Sequence, residues 1–189
     1  MSAIQVATKD DLDLVRSMFE RIAADLGMII DRTLEVDGVR AERVSKRVAG
    51  EGCVHISFRF GIVVDGKSHQ GCILVPLSDA ITMAGYLMML SDEEVAAQRE
   101  LSDLDASMKE AMLEVGNFVA GACDAVLRRS LPQGSSVRSE GCQGVRADVR
   151  PALEYGEGDQ LIVGRAIVRV HEFSEFQMIV MAPLAAEQS

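Results

Sequence analysis

Glu114, Asn117 and Gly121 lie on one stripe of the segment KEAMLEVGNFVAGACDAVLRR, residues 109–129. The apolar residues of that segment recur at helical spacing. Met108, Ala111, Met112, Val115, Val119, Ala122, Cys123 and Val126 share one face, while Ser107, Glu110, Glu114, Asn117, Gly121, Asp124 and Arg128 share the other. An acid and an amide three positions apart are neighbours on a helix surface. The carboxylate can pair with a partner's lysine, and the amide offers a donor and an acceptor on a short stem, suited to orienting a water. Gly121 removes the side chain that would hold another surface away. Neither Glu nor Asn is a nucleophile or a strong base, so any reaction here would rest on positioning. Glycine in a helix interior costs roughly 1 kcal/mol against alanine, and packing alone does not explain Asn117 and Gly121 together. An ordinary solvated helix surface also carries Glu and Asn, and from the spacing alone that reading is the stronger one. Gly116, near the edge of the apolar face, suits close packing.

Other chemistries find no motif. GxSxG, the P-loop and the Rossmann fingerprint are absent, and DGKSHQG has glycines and a lysine at the wrong spacing. Cys53, Cys72, Cys123 and Cys142 form no CxxC pair and read as small buried hydrophobes. His55, His69 and His171 share no zinc-type spacing with them, so no metal site is expected. A net charge of −10 makes nucleic acid and anionic lipid poor partners. The N-terminus lacks the basic and apolar segments of a signal peptide, and no apolar run reaches a membrane span, so a cytoplasmic protein is expected.

The elements that must position the stripe follow from periodicity. TKDDLDLVRSMFERIAADLGMII predicts a helix capped by Thr8 or Asp10 and ending near Gly27. Strands are expected in residues 32–44 and in two runs within 53–77, turning at Asp65-Gly66. A helix capped by Ser78 follows, then a polar linker over 92–103, then the long helix from Ser102 or Asp103 to about Arg129. Residues 130–136 read as loop, and 144–155, 159–170 and 175–184 as three strands, with a Gly-Glu-Gly turn at 156–158. The whole chain, residues 1–189, is expected to form a single α+β domain, its long helices packed on one face of an antiparallel sheet. A helix followed by strands occurs twice, which predicts a weak pseudo-duplication.

LSDLDASMKEAMLEVGNFVAGACDAVL, with GCILVPLSDAITMAGYLMML ahead of it, resembles the conserved region of the CheC/CheX/FliY chemotaxis phosphatases. In that family a helix carries E-x-x-N followed by a glycine, and LEVGNFVAGACDAVL supplies Glu114, Asn117 and Gly121 in those places. The resemblance implies a phosphatase acting on a phosphorylated CheY-type response regulator. Asn117 would orient the attacking water, and Glu114 would pair with the regulator's lysine. Glu110, Gly121 and Asp124 would line the docking face. The implied Mg²⁺ belongs to the regulator, and no cofactor of the chain's own is expected. Glu110 stands where the family has Asp or Ser. On the first helix Glu20 is followed three residues on by Ala23, so no second E-x-x-N is present. One site per chain resembles the CheX-like members, which implies a homodimer paired along a sheet edge. A non-catalytic scaffold related to flagellar switch proteins is the alternative the same fold implies.

Overall fold

The computed structural model describes residues 5–154 and 160–184. The turn expected at 156–158 lies outside them. The chain runs β1 (Gln5–Val6), α1 (Lys9–Ile30), β2 (Leu34–Val44), β3 (His55–Val64), β4 (Lys67–Pro76), α2 (Leu77–Leu87), α3 (Asp92–Gln98), α4 (Ala106–Leu127), β5 (Ser136–Val145), β6 (Leu161–Val170) and β7 (Phe176–Pro183). The seven strands make one antiparallel sheet in the order β1-β2-β6-β7-β4-β3-β5.

Thr8 caps α1 in a capping box with Asp11. The helix passes Gly27 and ends at Asp31, in the left-handed region at φ 53°. Gly27 serves this ending by position in space, because a Cβ there would stand 3.0 Å from the Arg32 carbonyl oxygen. Pro76, not Ser78, precedes α2, and no side chain caps it. The linker expected over 92–103 contains α3, whose Ser91–Glu94 capping box needs only Val95 buried.

Alternate residues of each strand face opposite sides of the sheet. One side meets α1, α2 and α4 in the main core, around Phe19, Phe58, Phe60, Ile73, Met112 and Val180. The other side buries a smaller cluster of Val44, Cys72, Leu74, Leu161, Ile179 and Met181. Two irregular segments edge this second side, joined where Arg47 Nη1 donates to the Pro151 carbonyl at 2.8 Å and Asp148 N to the Gly50 carbonyl at 3.0 Å.

The duplication is legible in the topology. A helix and three strands occur twice, as α1-β2-β3-β4 and α4-β5-β6-β7, and exchanging the halves reverses the order of the six long strands. The pseudo-twofold axis passes between β4 and β7, where Ile73 pairs with Val180. Moving outward along one row of the sheet, Ile73 pairs with Phe58 and Phe58 with Cys142, while Val180 pairs with Gly164 and Gly164 with Ala41. Phe58 therefore corresponds to Gly164. Their helix partners are complementary: Phe58 packs against Gly116 of α4, and Gly164 makes room for Val15 of α1. Large meets small on both sides, which seats both helices closely on the sheet.

Candidate functional site

The Asp105 carboxylate caps α4, accepting from Met108 N at 2.8 Å. Met108, Met112, Val115, Val119, Ala122 and Cys123 face the core as periodicity requires. A Cβ on Gly116 would stand 3.3 Å from Phe58 Cδ1, so this glycine is a packing device. These inward contacts fix the rotation of α4 and turn Glu110, Glu114, Asn117 and Gly121 outward, all exposed.

On that face the Asn117 amide Nδ2 donates to Glu114 Oε2 at 3.3 Å. The hydrogen bond leaves the amide oxygen as a solvent-facing acceptor and a second carboxylate oxygen open to a cation. A Cβ on Gly121 would meet nothing within 4 Å, so its surroundings do not demand a glycine, in contrast to Gly116. Asp124, the remaining residue of the expected docking face, is engaged within the chain. Its Oδ1 accepts from Val137 N at 2.8 Å and its Oδ2 from Arg128, tying the end of α4 to the start of β5. The structure thus brings Glu110, Glu114, Asn117 and Gly121 to one open face and gives Asp124 a structural duty beside them.

Leu113 escaped the sequence reading. It is 44% exposed one residue before Glu114, at the mouth of an apolar groove of about 510 Å³. A large apolar residue off the apolar face and next to the acid is the signal that would have found it.

The pseudo-twofold also locates the counterpart of the pair on α1. Val15 corresponds to Gly116, which sets Asp13 and Arg16 opposite Glu114 and Asn117 rather than the Glu20 and Ala23 of the sequence comparison. Arg16 Nη1 donates to Asp13 Oδ1 at 3.3 Å. An exposed ion pair replaces the acid–amide pair, and no amide is available there to hold a water.

A second polar cluster is structural. Burial pushes the Asp79 carboxyl up in pKa, against the pull of Arg99 beside it at 2.9 Å. Arg99 also reaches the Ser78 carbonyl and the Thr82 hydroxyl, and its guanidinium lies 4.5 Å from the Phe173 ring centre, clamping α3 onto α2. Among the described residues, no three His, Cys, Asp or Glu side chains gather as a metal site.

No protein-family model matches the chain, and no curated protein does. Solved structures do. FliY from Thermotoga maritima superposes with a TM-score of 0.67 at 14% identity, covering 95% of this chain and 92% of that one. The chemotaxis protein CheX from Desulfovibrio desulfuricans gives 0.57 at 13% identity, covering 90% and 99%. The chain has the CheC/CheX/FliY fold. FliM, in its complex with SpeE from H. pylori, is similar too, with a TM-score of 0.62 at 12% identity over 94% and 90%. Within the CheC/CheX/FliY fold of this chain, the acid–amide pair rides on the helix that opens the second half. Among the described residues no helix is long and apolar enough to cross a membrane.

Proposed function

We propose that this chain is a phosphatase of a phosphorylated CheY-type response regulator. The single observation that carries the reading is the joint exposure of Glu114 and Asn117, hydrogen-bonded to each other on a face that Gly121 leaves low. Burial of either residue would have removed it.

In this reading the regulator's active-site lysine takes the Glu114 carboxylate as its partner. That exchange frees the Asn117 amide, which enters beside the aspartyl phosphate and holds a water in line with the phosphorus. Water attacks, the bond between phosphorus and the aspartate oxygen breaks, and inorganic phosphate leaves the regenerated carboxylate. Mg²⁺ on the regulator neutralises the phosphate throughout. This chain supplies orientation, which is the work of a residue with no basic or nucleophilic power.

The test is the decay of a phosphorylated CheY-type regulator in Mg²⁺ with and without the chain. Acceleration is expected with the wild type, and Asn117→Ala should lose about a hundredfold of it while still binding. The FliM structures among the neighbours favour a second reading, a non-catalytic switch-type binding protein. That reading predicts regulator or motor-protein binding, unchanged in Asn117→Ala, with no phosphate release by either protein.

A further inference from the structure

The two halves treat the angle between helix and outer strand differently. Arg43 on β2 pairs with Ile162 of β6, and Gly144 on β5 pairs with Ile56 of β3. Ile162 and Ile56 are pseudo-twofold mates, so Arg43 and Gly144 occupy corresponding places. On the α1 side Arg43 donates to the Asp11 carboxylate at 2.6 and 3.0 Å, filling the angle, and β1 extends the sheet beyond β2. On the α4 side Met112 stands where Asp11 does, and Gly144 brings no side chain. A groove of about 510 Å³ results, floored by Ile56, Leu77, Leu104 and Met112 and flanked by Val54 and Leu113, both more than a third exposed. A Cβ at Gly144 would meet nothing within 4 Å.

We propose that this groove seats a bulky apolar side chain of the regulator that presents its lysine to Glu114, and so sets which regulator docks. The inference rests on the reading under Proposed function. Charge and continuity commit it to that occupant. Glu110 and Glu114 call for a cation on the partner's surface, while the adjoining groove is apolar and carries Lys109 and Asp103 at its rim. Leu113 bridges the two, so a surface with a lysine beside a large apolar residue meets both at once. A buried apolar anchor flanked by a charged rim is the usual anatomy of a binding hot spot.

Gly144→Phe fills the groove from the sheet side without changing any residue of α4, and Leu113→Ser removes its wall. Both are compared with the wild type on a CheY-type regulator phosphorylated with acetyl phosphate in Mg²⁺. KM should rise about tenfold with kcat changed by less than about twofold, whereas Asn117→Ala should lower kcat and spare KM. Thermal melting reports whether Gly144→Phe folds, and Leu113→Ser, at an exposed position, carries the test alone if it does not. Wild-type KM in the folded variants, with the wild type active, overturns the groove assignment and leaves the phosphatase reading standing. A wild-type dimer that Gly144→Phe converts to monomer gives the groove to a second copy and also overturns it. A wild type that accelerates decay of no regulator removes the phosphatase reading and this one with it.

Discussion

Gly116 and Gly121 are identical residues five positions apart on α4, and their surroundings give them opposite duties. Phe58 presses on Gly116, while Gly121 faces open space. Helix propensity would reward alanine at either by roughly 1 kcal/mol. Gly121→Ala should therefore raise stability by about that amount in urea unfolding, and Gly121→Leu should weaken regulator binding without unfolding the helix. Gly116→Leu should destabilise by about 1–3 kcal/mol, because the added atoms drive into Phe58 beneath a helix that cannot lift. Equal effects at the two sites would mean that α4 is not seated as described. Asn117 carries a cost of the same kind, several tenths of a kcal/mol in propensity, on the face where only a partner would compensate it.

At the scale of elements, a polar joint between Asp11 and Arg43 fastens α1 to the sheet. The side chain of Asp11 is 6% exposed, and Arg43 meets it through two nitrogens. Burial works to raise the Asp11 pKa, but the hydrogen bonds from Arg43 and from Thr8 outweigh it and hold the carboxyl below its usual range. A carboxyl depressed on folding stabilises fully above its unfolded value, about 3.9. That contribution declines as pH falls below that value and through the lower folded one. Arg43→Ala leaves the carboxylate buried without its cation and should cost about 3 kcal/mol at pH 7. Because Arg43's share of the depression disappears with it, the gap between wild type and variant should narrow in urea titrations as pH falls from 5 towards 2. A gap independent of pH would show that the loss is one of packing.

Across the whole molecule, the sheet separates two environments and sorts the cysteines between them and the surface. Cys123 on α4 lies in the helical core and Cys72 on β4 in the opposite cluster. Burial pushes the pKa of each thiol up to about 12. Cys53 is exposed and Cys142 half-exposed, so the expectation of four buried thiols holds for two. The thiolate is the reactive form. Under native conditions at pH 8 a maleimide should label Cys53 first, then Cys142, and reach Cys72 and Cys123 only after denaturation. Mass mapping of the adducts checks the order, and early labelling of Cys72 would contradict the covering of the second sheet face.

What the sequence determined by itself was local and periodic. The start of α1 at Thr8 or Asp10, the hairpin turn at Asp65-Gly66 and the apolar stripe of α4 are each written within a few neighbouring residues, and the outward rotation of Glu114 and Asn117 follows from that stripe. The polar α3 escaped because only Val95 of its seven residues is buried. The strand expected at 144–155 lies instead at 136–145, because SVRSEGCQGV is an edge strand with a left-handed Gly141 at φ 83° and shows no clean alternation. Strand order, the use of Gly116 against Phe58, the engagement of Asp124 and the open groove at Gly144 were decided by the tertiary structure. Each depends on what stands opposite a residue across the sheet, and that neighbour comes from the other half of the chain, beyond the reach of any local period.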